Sequence, residues 1–390
     1  MPWKEFTTMS LRLEFVNFTL SDSANIAELC RRFNISRKTG YKWIKRFLRE
    51  GSPGLADHCR RPHSSPARTS AELEDAILAI RDAHQAWGGR KIRTRLQHLG
   101  WQKLPAASTI TAILQRRGRI DAAESLKHTA WQRFEAQAPN DLWQMDFKGH
   151  FDAEQGRCHP LTVLDDHSRY ALGLRACSNE QTLTVRQQLV EIFHRYGLPK
   201  RMLVDNGSPW GSDKPHPFTP LTVWLIRQGI TIIHSRPYHP QTLGKDERFH
   251  RTVKTEIAQY CIGLSIAQCQ RKFDTWLTVY NFQRPHEALN MKVPAERYSP
   301  SSQQYRENLS PIEYSPDDQL RKVQQGGWIS YQGKEYAVPK AFCGERVAVR
   351  PTETDGLFDV YFCNQRIAAL HVKEPSTKNV LPISPNACYP

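Results

Sequence analysis

Apolar residues recur in three successive patterns along the chain, and each pattern predicts a different kind of structure. Near the N-terminus they follow helical spacing, with Ile26, Cys30 and Phe33 on one face. From about residue 140 they alternate with polar residues, and from residue 327 short alternating runs recur between turns. This order predicts a multidomain chain with all-α N-terminal units, an α/β core and a small C-terminal β unit.

The first all-α unit is predicted to be a helix-turn-helix over residues 1–50. A short break follows Phe33, and Ser36 is placed to cap a second helix from 37 to 48. The side chains expected to pack inward from this helix are Ile44, Phe47 and Leu48. The side chains expected to bind DNA phosphates or base edges are Arg37, Lys38, Lys42 and Lys45. The alternative is an ordinary amphipathic helix pair with a solvated basic face.

A second helical unit is predicted after a linker. Residues 51–69 are rich in Gly, Pro and Ser, which is typical of a linker. Residues 70–125 contain periodic helical segments separated by a Gly-Gly break and a Pro-containing turn, and they predict another helix-turn-helix-like unit. Arg116 and Arg117 give this unit a basic end, so we expect them to bind DNA as well.

The α/β core is predicted over residues 135–300. Strands are predicted at 143–148, 160–166, 170–174, 201–204 and 230–233, and helices at 180–196, 220–228 and 245–260. Three strands followed by alternating helices and strands are typical of an α/β layer fold.

The C-terminal part of the chain is predicted to hold a small β unit between polar segments. Residues 301–326 are polar and predict a second linker. Five short strands within 327–373 predict a small SH3-like β-barrel, and 374–390 predict a loose tail.

Charge changes this picture because it is unevenly distributed. The chain has 54 Lys and Arg against 39 Asp and Glu, a net charge of +15. Residues 1–120 hold 22 of the basic and 10 of the acidic residues, so most of the excess lies in the predicted helical units. This excess of positive charge predicts a polyanionic partner, either nucleic acid or an acidic membrane surface. No apolar run predicts a membrane helix, no signal-peptide pattern is present, and the nine scattered cysteines predict reduced thiols, so we expect a cytoplasmic, nucleoid-associated protein.

Three carboxylates in the core are candidate metal ligands. Asp146 lies on a predicted strand, Asp205 follows another, and Glu247 lies in the first turn of the long helix, away from its apolar face. Such a trio can bind two hard divalent cations and hold a phosphate against them. Each residue also has an ordinary structural explanation, as a turn residue or a helix-dipole partner, and Asp165 and Asp166 are equally acidic. The pattern alone leaves the choice open.

Three sequence blocks resemble one family, the DDE transposases of bacterial insertion sequences, whose core is similar to that of retroviral integrases. The blocks are WQMDF at 143–147, LVDNGS at 203–208 and YHPQTLGKDERFHRT at 238–252. A later segment around Arg284-Pro285-His286 is also similar, and the resemblance covers about residues 20–300.

The resemblance implies a ribonuclease-H-like core in which Asp146, Asp205 and Glu247 are the catalytic, metal-binding triad and Lys254 contacts DNA near the site. It implies two Mg²⁺ ions, with Mn²⁺ as a substitute, that activate water for strand cleavage at inverted-repeat ends and then a 3′-hydroxyl for joining to target DNA. The partners would be double-stranded DNA and, because an element has two ends, at least a second copy of the chain, with no membrane partner. In related integrases a C-terminal barrel helps to bind DNA or to assemble subunits; a purely stabilising role is the alternative.

The chain also departs from the family pattern around the third carboxylate. Leu243 and Asp246 stand where a small polar and an apolar residue are usual, and the segment between the second and third carboxylates holds 41 residues, longer than is common. An insertion at 210–219 accounts for the extra length, and we expect it to cover the site or to contact DNA. Two flanking histidines are expected to be DNA or packing contacts rather than general bases: His239 and His250.

Three alternatives to a transposase stay open on the sequence alone. A non-enzymatic DNA-binding regulator would explain the helix-turn-helix but not the three blocks. A structure-selective nuclease of ribonuclease H type would hydrolyse DNA without joining it. An inactive relic would keep the triad and have lost its DNA ends.

Overall fold

A computed structural model describes residues 7–21, 24–57, 69–120, 135–211, 217–235 and 244–372. The chain divides into two compact units, Met1–Arg68 and Thr69–Pro390. The N-terminal unit is helical, and the larger unit contains the second group of helices, a mixed sheet and the C-terminal strands.

The described residues of the N-terminal unit form three α-helices, α1 (Thr8–Thr19), α2 (Ile26–Arg32) and α3 (Arg37–Glu50). The Ser36 side chain accepts a hydrogen bond from the backbone N–H of Thr39 at 3.1 Å, so the predicted N-cap is confirmed. Helix α1 has no counterpart in the sequence prediction.

Packing of this unit centres on the contact between α2 and α3. Gly40 lies so close to α2 that a Cβ atom there would be 2.7 Å from the Sγ atom of Cys30, which explains why this helical position needs glycine. Trp43 is buried on the same side of α3. Leu48 is 71% exposed, so its predicted packing role is wrong, because the buried face of α3 runs through Gly40 and Trp43 instead.

The larger unit begins with α4 (Ala71–Ala83), α5 (Gly89–His98) and α6 (Ala107–Arg116). These helices share a small core: Leu73, Ile77, Trp87, Ile92, Leu96, Ile110, Ile113 and Leu114. Arg95 of α5 donates a hydrogen bond to the Gln283 side chain at 2.9 Å, and Val279 packs against the same small core. The helices therefore contact the α/β core directly.

The core sheet has six strands, β1 (Trp143–Phe147), β2 (Phe151–Asp152), β3 (Arg157–Asp165), β4 (Ala171–Cys177), β5 (Arg201–Val204) and β6 (Thr231–His234). Strand β1 lies between an antiparallel β3 and a parallel β5, and β6 continues parallel to β5. Strands β4 and β2 both pair with β3 in antiparallel fashion. The prediction of an α/β layer is confirmed, with a sheet that mixes parallel and antiparallel strands.

Four helices flank this sheet, α7 (Thr182–Tyr196), α8 (Pro220–Arg227), α9 (Gly244–Glu256) and α10 (Ile266–Phe282). Helices α7 and α8 share one apolar cluster with the sheet, and α9 and α10 share another. Helix α9 ends earlier than predicted and is followed by a short 3-10 turn, and α10 was not predicted as a helix.

The C-terminal strands are β7 (Gln319–Lys322), β8 (Trp328–Tyr331), β9 (Lys334–Ala337), β10 (Arg346–Pro351), β11 (Leu357–Phe362) and β12 (Gln365–His371). They form a four-stranded antiparallel sheet in the order β12-β11-β10-β7 and a separate β8-β9 hairpin. All five predicted strands occur, and β7 lies within the segment that was predicted as a linker. Closure into a barrel stays a prediction.

The C-terminal sheets pack against the α/β core. The backbone N–H of Ile232 on β6 donates to the Gln365 side chain at 3.0 Å. Phe218 makes an edge-on ring contact with Phe342, with centroids 5.2 Å apart. No helix among the described residues is long and apolar enough to span a membrane, and the seven cysteines in the described ranges are free thiols.

Candidate metal centre and nucleic-acid interface

Two of the predicted carboxylates lie at one edge of the sheet. Asp146 lies near the end of β1, and Asp205 directly follows β5. The two strands are parallel neighbours, with Gln144 paired to Leu203, so their carboxyl ends meet at the same edge. In open α/β sheets this edge is where ligands bind.

The carboxylate of Asp146 is costly to ionise in this place. Burial is the largest cause, and it raises the pKa of Asp146 to about 7. The backbone N–H of Phe147, which donates to Oδ1 at 2.8 Å, opposes this shift, while the charges of Asp205 and Glu180 add to it. A cation at this position would relieve the repulsion between Asp146 and Asp205.

Asp205 is held by the chain segments on either side of it. The Ser235 hydroxyl donates to Oδ1 of Asp205 at 3.0 Å, and the Asn206 side chain donates to the carbonyl oxygen of Ser235 at 2.8 Å. The following turn is tight, since a Cβ atom at Gly211 would lie 2.3 Å from the carbonyl oxygen of Asn206. The loop after β5 is thus fixed against the end of β6.

The predicted insertion packs against this region through its two ends. Trp210 is buried and stacks on Phe147, with ring centroids 5.6 Å apart. Phe218 at the other end contacts His234 and the C-terminal β unit. Residues 212–216 lie outside the described ranges, so the expectation that the insertion covers the site or contacts DNA stays a prediction.

Helix α9 brings a different acidic residue to Asp146 than the one expected. Glu247 is 65% exposed and lies 3.8 Å from the similarly exposed Arg251. Its neighbour Asp246 is fully buried, and its pKa is raised by burial and then by the charge of Asp146. The structure therefore brings Asp246 to Asp146, on which the charge of Asp205 also acts, and leaves Glu247 at the surface of the first turn.

Asp246 belongs to a buried cluster with His250 and Thr162. One ligand atom from each of Asp146, Asp246 and His250 lies within 4.8 Å of the others, an arrangement that could hold a metal ion. The Thr162 hydroxyl donates to the carbonyl oxygen of Asp146 at 2.9 Å and lies 2.8 Å from Nε2 of His250. Burial lowers the pKa of His250 to about 4, so the imidazole is neutral at pH 7, and Oδ2 of Asp246 has no hydrogen-bond partner within the described residues.

The sequence contains a signal for this buried acid that the prediction did not use. Asp246 precedes Phe249 by three positions and His250 by four, so all three lie on the same side of α9. Phe249 is buried, which places Asp246 on the apolar face. The second flanking histidine, His239, lies outside the described residues.

The carboxylates of Asp165 and Asp166 are buried, and hydrogen-bond donors of the protein surround them. Asp165 accepts from the backbone N–H groups of Asn140 and Ser168, each at 2.8 Å. Asp166 accepts from the backbone N–H of Ala136 and from the side chains of Gln144 and Lys245. Both carboxylates are thus part of the internal scaffold.

The predicted DNA-binding cations fall into two groups. On α3 the side chains of Arg37, Lys38, Lys42 and Lys45 are exposed. In the second helical group, Arg116 and Arg117 both form ion pairs with the buried Glu74, at 3.0 and 2.9 Å. Lys254 is exposed on α9, and its charge lowers the pKa of Lys148, after the larger effect of burial.

Comparison with known protein families gives matches over most of the chain. Residues 136–240 and 228–294 match two models described as integrase core domain. Residues 318–378 match the IS481 family transposase C-terminal domain. In the N-terminal part, residues 11–63 match a helix-turn-helix domain and 39–114 a homeodomain-like domain.

Similar individual proteins come from insertion elements. An uncharacterized 31.7 kDa protein of insertion element IS407 from Burkholderia multivorans is 27% identical over 159 residues, which are 41% of this chain and 55% of that protein. An uncharacterized 39.2 kDa protein of IS476 from Xanthomonas euvesicatoria is 23% identical over 250 residues, 62% of this chain and 69% of that protein. The chain thus spans little more than half of the first relative and about two thirds of the second.

Solved structures with some similarity include retroviral integrases. The HTLV-2 integrase catalytic core domain in complex with magnesium is 17% identical, covers 42% of this chain and 100% of its own, and has a TM-score of 0.33. A simian T-cell lymphotropic virus intasome in complex with a PP2A regulatory subunit is 15% identical, with 75% and 98% coverage and a TM-score of 0.36. At these scores the similarity carries no argument about this site.

Proposed function

We propose that the chain is a DDE transposase of an insertion element, because it matches integrase core models at 136–240 and 228–294, the C-terminal domain model of IS481 family transposases at 318–378, and proteins of two insertion elements. It recognises the inverted-repeat ends of its element, cleaves DNA strands by metal-dependent hydrolysis and joins the freed 3′-hydroxyl ends to target DNA. Cleavage and joining are both phosphoryl transfers, so one site serves both.

The observation that carries this proposal is the acidic pair at the end of β1 and β5. Asp146 and Asp205 repel each other, and burial raises the pKa of Asp146 to about 7. Oxygen ligands of this kind suit hard divalent cations such as Mg²⁺. The residues therefore fit the two Mg²⁺ ions, or Mn²⁺ in their place, that this family implies, with Asp146 and Asp205 as ligands.

Bound metal would supply the positive charge that activates the attacking oxygen and stabilises the phosphate in its transition state. The chain's own residues orient the ligands for this role. The Phe147 N–H and the Thr162 hydroxyl fix the side chain and the backbone of Asp146, and Ser235 fixes Asp205. Phosphates approaching this acidic edge meet a basic border, to which Lys148 and the exposed Lys254 contribute.

Two residues on α9 compete for the place of the third ligand. We propose Glu247, because it lies at the solvent-facing first turn, where a metal can keep its waters and meet DNA. The surface pair with Arg251 at 3.8 Å is a weak restraint on its side chain. Asp246 is enclosed, and burial followed by the charge of Asp146 raises its pKa well above the usual range, which disfavours its charged form.

DNA recognition is proposed to reside mainly in α3. Its basic face has Arg37, Lys38, Lys42 and Lys45 exposed, as expected for a helix that enters a major groove. Replacing Lys42 and Lys45 with Ala should remove about two phosphate contacts to end DNA. The slope of the logarithm of the binding constant against the logarithm of the salt concentration should then become shallower by about 1.8. We further propose that two copies of the chain bring two ends together and that the C-terminal strands close into a small barrel that assists assembly.

The matched variant for that measurement is Arg116→Ala with Arg117→Ala. We expect this pair to lower stability, because Glu74 would stay buried without them, and to change the salt slope much less. Equal salt slopes for the two double variants would refute α3 as the main DNA reader.

The decisive experiment is a strand-transfer assay with DNA that carries the flanking inverted repeats. Wild-type protein with Mg²⁺ should produce nicked ends and joined products, and Asp146→Asn and Asp205→Asn should produce neither. Glu191→Gln is the matched control, since Glu191 is an exposed acid of the same core. Binding without nicking would favour a DNA-binding regulator, and nicking without joining would favour a nuclease.

A further inference from the structure

A single buried carboxylate lies between the strand that carries Asp146 and the helix that carries Glu247. Asp166 has no solvent exposure. Its Oδ1 atom accepts from Nε2 of Gln144 at 2.7 Å and from Nζ of Lys245, and its Oδ2 atom accepts from the backbone N–H of Ala136 at 2.7 Å. Both oxygens are therefore engaged by donors from three different segments.

Each of the two side-chain donors lies two positions before a proposed metal ligand. Gln144 precedes Asp146 by two positions on β1, and Lys245 precedes Glu247 by two positions on α9. One oxygen atom of Asp166 thus contacts both elements that present the first and third carboxylates. Movement of the first turn of α9 away from β1 would break the contact between Lys245 and Asp166.

The ion pair between Lys245 and Asp166 is enclosed by the protein, so its geometry is well defined. The Lys245 side chain is 17% exposed and that of Asp166 is 0% exposed. A buried carboxylate without its partner is strongly disfavoured, so the ammonium group is held where Asp166 places it. Asp166 itself is anchored by Ala136 and Gln144, which prevents it from following α9.

A second buried ion pair holds the opposite end of the same helix. Glu256, the last residue of α9, lies 3.3 Å from Arg284, and their side chains are 5% and 8% exposed. The two pairs are similar in burial, and only the first contacts β1. Variants of the two pairs can therefore distinguish a general stabilisation of α9 from the placement of its first turn.

We propose that Asp166 and Lys245 are positioning residues that fix the first turn of α9 against β1 and thereby set the distance between Asp146 and the carboxylate presented by α9. The metal-binding consequence rests on the proposed function. The placement of the first turn of α9 does not rest on the proposed function, because it follows from the contacts of Asp166 alone.

The test compares the full-length chain with Lys245→Met, Lys245→Arg and the control Arg284→Met. Hydrogen–deuterium exchange without metal reports placement, and Mn²⁺ titration without DNA reports the metal centre. For Lys245→Met we expect at least about tenfold faster exchange at 244–250, with 251–256 changed little, and about tenfold weaker Mn²⁺ binding. Arg284→Met should show the reverse exchange pattern and near wild-type Mn²⁺ affinity. Lys245→Arg, which keeps the charge and a donor, should recover most of both.

Several results would overturn the proposal. Unchanged exchange at 244–250 in Lys245→Met would do so, and so would equal effects of Lys245→Met and Arg284→Met on exchange and Mn²⁺ affinity. If Lys245→Met does not fold, Gln144→Met tests the same link from the side of β1, with faster exchange at β1 expected and an unchanged rate contradicting the link. Wild-type protein that binds no Mn²⁺ would count against the metal centre, and the exchange data would still decide the positioning role.

Discussion

Two acidic pairs lie on the same sheet, and their surroundings differ. Asp165 and Asp166 at the end of β3 accept hydrogen bonds from backbone N–H groups, a hydroxyl, an amide and an ammonium group. Within the described residues, the carboxylates of Asp146 and Asp205 accept one hydrogen bond each. The first pair is satisfied by the protein, and the second, which is half-buried, keeps carboxylate oxygens to which no described residue donates a hydrogen bond.

This difference teaches that acidity alone does not identify a site. Residues in both pairs are adjacent to strand ends and both lie in the core, so a sequence pattern does not separate them. What separates them is the number and direction of donors that the fold supplies. An unsatisfied carboxylate pair costs free energy, and such a cost persists where function requires it.

The largest expected effect comes from removing a charge from the unsatisfied pair. Asp146→Asn should reduce strand joining by at least about 1,000-fold, because losing one metal ligand removes several kcal/mol of transition-state stabilisation. The same variant should raise the free energy of unfolding of the metal-free protein at pH 8, since it removes a charge that burial disfavours. The measurements are the strand-transfer assay and urea unfolding.

The control for Asp146→Asn is Glu191→Gln, which should leave both strand joining and the free energy of unfolding unchanged. A parallel loss of activity and stability in Asp146→Asn would mean that Asp146 is a scaffold residue like Asp165. It would remove the contrast between the two pairs.

Removing a carboxylate from the satisfied pair should act on stability first. Asp165→Ala leaves the backbone N–H groups of Asn140 and Ser168 and the Ser168 hydroxyl without their acceptor. We expect the free energy of unfolding to fall by about 3–5 kcal/mol, since each buried unpaired donor costs about 1–3 kcal/mol. Urea unfolding measures this, and a loss below about 1 kcal/mol would contradict the scaffold role.

Local features of the fold were predictable from sequence, and features that depend on distant contacts were not. The cap at Ser36 and the strand β1 involve neighbours within a few positions, and both occur as predicted, although Gln144 on the predicted polar face of β1 is buried as well. The partner of Arg116 and Arg117 is Glu74, more than 40 positions away, so nothing local indicated that these arginines pair inside the protein. The strand β7 is polar and exposed, and it is stabilised by pairing with β10 rather than by its own pattern.

The site shows the same limit. The strands that carry Asp146 and Asp205 were predictable because each is a short run rich in apolar residues, and because Asp205 is followed by Asn206-Gly207, a turn signal. The distinction between Asp246 and Glu247 depends on how α9 is rotated against β3. Resemblance selected Glu247, and the spacing of Asp246 from Phe249 and His250, which indicates a buried acid, was not used.

The variant Asp246→Val sharpens the contrast by removing the buried acid next to Asp146. Oδ2 of Asp246 is buried without a hydrogen-bond partner within the described residues, so we expect the free energy of unfolding to rise by about 1–2 kcal/mol. Activity should stay within about threefold of wild type, whereas Glu247→Gln should abolish joining and leave stability unchanged. If Asp246→Val instead abolishes Mn²⁺ binding, Asp246 is the third ligand and the assignment of Glu247 is wrong.

The smallest effect expected is the pH dependence of stability that Asp146 contributes. The folded-state pKa of Asp146 is raised to about 7, above the value of about 4 in an unfolded chain, so the folded state holds the proton more tightly between these values. The resulting stability is complete below about pH 4 and is lost as the pH rises through 7. Between pH 5.5 and pH 8 the free energy of unfolding should therefore fall by about 1 kcal/mol, after allowance for partial solvent screening. Asp146→Asn should flatten the dependence of the free energy of unfolding on pH. In the wild-type protein, Mn²⁺ at pH 8 should restore the stability that was lost, because the ion binds the folded state. Identical slopes in wild type and Asp146→Asn, measured by urea unfolding, would show that Asp146 does not contribute this pH dependence.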